Sequence, residues 1–326
     1  MNLLSTLANI IFSANFLNAV IRVSTPLILA AMAACVGRQA NVQTVAYEGM
    51  MLFAAFAGTY GSSITGNLWG GIIIGLLTSV VVALFYGYFN IYLNTDDTLL
   101  GLAINTFASY ATIFLMFVTL GRKSDTSVIP SYSYPTIEMP FLKNIPIIGT
   151  IFNGQSVITY VAIISVFVTH FILYKTRLGL RIRSVGRNPD AALSLGINVK
   201  RTRMISLIIS GLLAGFAGEY MSMSYISFFT KNMVSGRGFI GIAASNLGLG
   251  KPILSLLYAL MFGVSQVIAN ELQLLQMPYQ LVDMIPFIIT IIGLCITGSA
   301  ELRKQKTGGK AKKNKKTEIA QTTENK

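Results

Sequence analysis

The sequence predicts an all-α, polytopic transmembrane bundle of about eight to ten helices, one of them short or broken. Composition, the spacing of apolar runs and the placement of basic residues all point there. Hydrophobic residues make up 53% of the chain and charged residues only 11%, and the mean hydropathy is +0.63. A soluble domain carries about 25% charged residues to keep its surface wet, so a soluble fold is disfavoured. A hydrocarbon core about 30 Å thick needs roughly 20 apolar residues per crossing, which leaves room for roughly nine crossings.

Apolar runs fall near residues 16–36, 44–60, 68–92, 98–120, 156–174, 204–225, 239–249, 253–270 and 281–298. Each except the seventh is long enough, or nearly so, to span. The seventh, "FIGIAASNLG", is short, rich in small and polar residues, and ends in "GLGKP". A half-helix or broken helix is expected there, and non-helical backbone at that depth has to line a protein-enclosed cavity. Small residues recur at helix-packing spacing in Gly71 and Gly75, Gly211 and Gly215, and Ala214 and Gly218.

The formal charge of +13 matters less than its position. Eight of the 25 basic residues lie in 175–203 and nine lie from Arg303 to the end. Basic clusters that bound apolar segments mark cytoplasmic loops, so the charge is topological first and implies lipid at the surface rather than nucleic acid. With both clusters inside, nine crossings put the N-terminus outside and the C-terminus in the cytoplasm. The segment 121–155, with Pro130, Pro135, Pro140 and Pro146, then forms an ordered, irregular external loop. Residues 1–15 lack the basic start of a secretory signal and are read as a retained, interfacial segment. Residues 16–300 form the membrane domain, and 301–326 a basic, disordered tail.

The loop 175–203 holds a local design. Asn188 suits an N-cap, Pro189 falls at N1, Asp190 sits in the first turn and Gly196 supplies a stop. A short capped helix, "PDAALSL", results between arginine-rich arms. It reads either as a rod that passes motion from a soluble ATPase into the membrane, or as an ordinary positive loop.

Some chemistry is excluded. No G-x-x-x-x-G-K-[ST] occurs, since "GLGKP" ends in proline and "TGGKA" lacks the hydroxyl, so no P-loop cradles ATP here. His170 is the sole histidine, no G-x-S-x-G is present, and Cys35 and Cys295 stand far apart, so neither a serine triad nor a metal cluster assembles. The chain is read as a non-enzyme that binds no cofactor. Arg22, Glu48, Glu219 and Asp283 fall within or beside apolar runs, where an ionisable group costs about 2.5–3.5 kcal/mol and should face the bundle interior. Glu48 and Glu219 are candidates for the substrate path or for interhelical structure. Asn105, Asn246, Gln266 and Asn270 are candidates for contacting a neutral, hydroxyl-rich substrate.

"GLRIRSVGRNPDAALSLGINV", followed by "ISGLLAGFAGEY" and "SGRGFIGIAA", resembles the permeases of the branched-chain amino acid, ribose and nucleoside class of ABC importers. "STPLILAAM", "YEGMMLFAAFAG" and "DDTLLGLAINTFA" extend the likeness over residues 16 to 300, and it is strongest toward nucleoside or simple-sugar permeases that work with a basic membrane lipoprotein. Where the family reads like "ERSGVINIGLEG", this chain has "GRQANVQTVAYEG", which weakens the substrate assignment. The resemblance implies a multi-pass protein of the bacterial cytoplasmic membrane that imports nucleosides, with simple sugars or branched-chain amino acids as alternatives. It implies a coupling segment of Arg183, Gly186, Asn188, Pro189, Asp190, Ala191, Ala192 and Gly196. It also implies three partners: a cytoplasmic ABC ATPase holding ATP and Mg, a second and paralogous permease chain, and an external binding lipoprotein. Two rival readings are an ion-coupled secondary transporter and a membrane scaffold acting through its basic tail.

Overall fold

The computed structural model describes residues 14–138, 153–274 and positions 288, 291 and 295. The readings of an interfacial N-terminal segment, the run 281–298 with Asp283, Pro140, Pro146 and the basic tail lie wholly or largely outside the described residues. Within them the chain is helical, and six helices are long and apolar enough to cross a membrane.

Helix α1, Ala14–Gln39, is the axis of the bundle. Its apolar span is 83% buried, because the neighbouring residues Ala30, Ala31, Ala33 and Ala34 let other helices approach closely on several sides. α5 (Val157–Lys175), α8 (Val199–Tyr220), α9 (Arg237–Leu247) and α10 (Pro252–Leu274) all pack on it. In α9, a Cβ on Gly241 would stand 2.5 Å from that of Ala30.

The second layer is α2 (Tyr47–Thr65), α3 (Leu68–Gly87) and α4 (Asp97–Leu120). The small-residue pairs seen in the sequence hold this layer to α8. The Gly211 position has Ala83 of α3 at 2.7 Å, Ser79 Oγ donates to Gly211 O at 2.7 Å, and Gly218 leaves no room for a side chain beside the Met51 carbonyl of α2. π turns continue α3 through Tyr88–Tyr92 and α8 through Met221–Tyr225.

The bundle has two distinct ends. At one, the described part of the segment after α4 lies over the bundle as a cap. Thr136–Ile137 (β1) pairs antiparallel with Gln155–Ser156 (β2), Thr126 N donates to Phe229 O at 2.9 Å, and Tyr134 N donates to Met223 O at 2.9 Å. The expected irregular loop is therefore tied residue by residue to the stretch between α8 and α9. At the other end, α6 (Arg177–Arg187) and α7 (Pro189–Ser194) join α5 to α8.

The helix breaks differ from the sequence expectation in one respect. The run 44–60 does not begin as a helix at its first residue. After α1 ends, residues 40–46 turn back into the protein with Val42, Thr44 and Ala46 buried, and α2 starts only at Tyr47. Tyr47 Oη donates to Ala33 O at 3.2 Å. That lies six residues, about 9 Å at 1.5 Å per residue, inside the end of α1.

Candidate functional site

α9 is the expected half-helix. The chain comes down from the cap through residues 226–236, turns at Gly236 with φ +82, and helix begins at Arg237. Two helices, α2 and α9, therefore start inside the bundle, each with first-turn N–H groups that lack intrahelical acceptors. Glu48 serves both. It lies in the first turn of α2, and its Oε1 accepts from Gly236 N at 2.7 Å and its Oε2 from Gly238 N at 2.8 Å. One carboxylate thus faces the positive ends of two helix dipoles in a water-poor place. Glycine at 238 is required by closeness, since a Cβ there would be 2.7 Å from Glu48 N.

Asn105 of α4 performs the matching task for the re-entrant segment 40–46. Its Oδ1 accepts from Gly49 N at 2.8 Å and its Nδ2 donates to Val45 O at 3.0 Å. Buried non-helical backbone has no water to turn to, and Asn105 supplies the missing partners. Asn246 sits at the far end of α9. Arg38 Nη1 donates to its Oδ1 at 2.6 Å and its backbone O at 3.2 Å, and Gln43 Nε2 donates to the same Oδ1 at 2.7 Å. Gln39 Nε2 completes the clasp on Gly250 O at 2.9 Å. Three of the six residues marked for a substrate path, Glu48, Asn105 and Asn246, therefore have their polar atoms engaged by the frame.

Glu219, fully buried near the cap, accepts from Tyr134 Oη at 2.7 Å through Oε2, while its Oε1 lies against Gly75 without a hydrogen-bond partner. Gln266 and Asn270 stand four apart on α10. The Gln266 Oε1 is buried without a partner, and Asn270 is exposed. These positions are not brought together with Glu48. Sequence reasoning missed Tyr134, Arg38 and Gln43. Tyr134 lies in a proline-rich loop with no periodic signal, and Arg38 with Gln43 reads as ordinary loop polarity.

At the rod end the local design is present in full. The Asn188 side chain accepts from Ala191 N at 3.0 Å, Pro189 and Asp190 occupy the first turn, Ala192 is buried, and Gly196 has φ +76. Ile197 N closes the turn on Ala192 O at 3.0 Å. The preceding arm is itself helical. α6 buries Gly179, Ile182 and Val185, and Arg183 lies over the Tyr174 ring at 4.8 Å. Gly186 brings the α6 backbone onto the Gln39 carbonyl, where any side chain would collide. α6, which carries the rod, is thereby in direct contact with the end of α1 that clasps α9. Among the described residues no group of three His, Cys, Asp or Glu side chains is placed to hold a metal ion.

The family profile described as branched-chain amino acid transport system / permease component matches residues 16–294. The chain belongs to that permease family. The permease is 35% identical over 282 residues to the guanosine ABC transporter permease protein NupQ of Bacillus subtilis, covering 83% of this chain and 88% of the relative. It is 30% identical over 284 residues to the nucleoside ABC transporter permease protein NupC of Lactococcus lactis subsp. cremoris, covering 84% and 89%. Among solved structures, an ABC transporter chain described as metal-chelate type, in an inward-facing conformation, superposes with a TM-score of 0.51 over 90% of each chain at 15% identity, a likeness of fold alone. The permease is a multi-pass membrane subunit of an ABC transporter.

Proposed function

We propose that the permease imports nucleosides by alternating access, driven by a separate ABC ATPase seated on the Asn188–Gly196 rod. One observation carries the reading. The rod exposes Leu193 (63%) and Leu195 (79%) at its surface, while the α6 arm that carries it rests, through Gly186, on α1. Exposed leucines on a rigid capped turn suit a soluble partner, and a rigid link delivers displacement to α1 and α9 instead of absorbing it. This orientation puts the rod end and the tail in the cytoplasm and the cap outside, in a bacterial cytoplasmic membrane.

The nucleoside assignment rests on the likeness to guanosine and nucleoside permeases. Neutral groups support it, because Gln266 and Asn270 can bind hydroxyls without trapping a buried charge. The pathway is completed by a second, paralogous permease chain, an external lipoprotein delivers substrate, and ATP with Mg²⁺ is held by the ATPase.

Uptake of labelled guanosine tests the reading. Uridine is expected to compete and ribose not to, and collapsing the proton gradient at constant ATP is expected to leave uptake intact. Loss of uptake with the gradient would instead assign an ion-coupled carrier. A paired change at the rod sharpens the test. Asn188→Ala with Asp190→Arg removes an N-cap worth about 1 kcal/mol and reverses a favourable dipole interaction. Uptake is expected to fall about tenfold with insertion unchanged, and normal uptake would count against the coupling role.

A further inference from the structure

Beside the rod lies a cavity of about 550 Å³, bounded by the end of α3, the rod and the first turn of α8. Its lining joins apolar Ile91, Leu193 and Ile197 to the cations Lys200 and Arg203, with Asp190 as the opposing acid. We propose that this cavity binds the headgroup phosphate and upper acyl chain of an anionic phospholipid, and so places a lipid against the moving rod.

Depth is the first argument. Tyr88 and Tyr92 project from the end of α3 at 55% and 50% exposure beside exposed Leu93, the aromatic pattern that marks the boundary between hydrocarbon and water. Lys200 Nζ stands 5.1 Å over the Tyr92 ring, so the cation is held at headgroup level.

Charge is the second argument. α8 begins here, and its Asn198 cap accepts from Arg201 N, which leaves the N–H groups of Val199 and Lys200 at the positive end of the helix. Arg203 Nε is buried without a hydrogen-bond partner. Across the Gly196–Asn198 turn, a second groove of about 410 Å³ adds Arg181 and Arg201, so cations outnumber Asp190 around the turn. A free phosphate would satisfy the cations and leave the apolar wall bare, whereas an anionic lipid matches both. A lipid seated there touches Asp190 and Leu193, and membrane composition then bears on how firmly the rod is held.

Native mass spectrometry of the full-length permease in detergent, titrated with dioleoylphosphatidylglycerol, dioleoylphosphatidylcholine and inorganic phosphate, tests this. Each cation near an anionic headgroup contributes about a factor of five, so Lys200→Gln with Arg203→Gln is expected to weaken phosphatidylglycerol binding about thirtyfold. The charge-preserving pair Lys200→Arg with Arg203→Lys is expected to keep it, which separates charge from misfolding. Phosphatidylcholine is expected to bind weakly to all forms, and inorganic phosphate not to displace the lipid. The proposal is overturned by equal phosphatidylglycerol affinity without the charges, by phosphatidylcholine binding equally well, or by displacement with phosphate. Release of the lipid when the copurifying ATPase rebinds would also overturn it, assigning the cavity to that protein.

Discussion

Glu48→Ala is expected to cost the permease a large share of its folded stability. Two hydrogen bonds from backbone N–H groups to one carboxylate are lost, each worth about 1.5–3 kcal/mol, and two helix ends lose the charge that faces them. The sum, about 3–6 kcal/mol, is comparable with the roughly 5–15 kcal/mol that holds an ordinary domain together. Thermal unfolding of the purified protein, followed by size-exclusion chromatography, measures it. Glu48→Gln keeps the shape but sets an amide N–H₂ against one of the two donors, so an intermediate loss is expected. Unchanged stability combined with abolished transport would instead make Glu48 a substrate ligand.

That distinction could not be drawn from the sequence, and the reason is physical. An acid in an apolar run declares that it has a partner without saying which. Glu48 and Gly238 are 190 positions apart, and only the meeting of two helix starts inside the bundle pairs them. Asn105 and Asn246 raise the same difficulty, because a polar side chain that satisfies buried backbone looks identical, in sequence, to one that awaits a ligand. Features whose cause is local were legible. The rod was readable because Asn188, Pro189, Asp190 and Gly196 act on backbone within a few residues of themselves. The short α9 was readable from its length, and the Gly211 and Gly215 contacts from their spacing. The delayed start of α2 was not, since residues 44–46 are as apolar in composition as the helix they precede.

Gly186→Val is expected to uncouple transport while leaving the protein folded. The α6 backbone meets the Gln39 carbonyl here, and a branched side chain forces the two apart. The α6 anchors at Gly179, Ile182 and Val185 remain, so the rod should persist and only the seat of α6 on α1 should be lost. ATP hydrolysis by the assembled transporter is expected to continue near its normal rate, while uptake falls by at least about tenfold, as a lost contact of about 1.4 kcal/mol or more requires. Equal loss of hydrolysis and uptake would point to failed assembly, and retention of both would show that motion reaches α1 by another route.

The account rests on residues 188–196 touching a nucleotide-hydrolysing partner in the cytoplasm. A single thiol at the rod tip tests that directly. With the exposed Cys295 changed to serine and Cys35 left buried, Leu195→Cys supplies one accessible site on a residue that is 79% exposed. A short bifunctional reagent is expected to join that thiol to the ATPase that copurifies with the permease, with a yield that changes on adding ATP. Labelling of the same thiol in intact cells by a membrane-impermeant reagent, with no cross-link formed, would contradict the account.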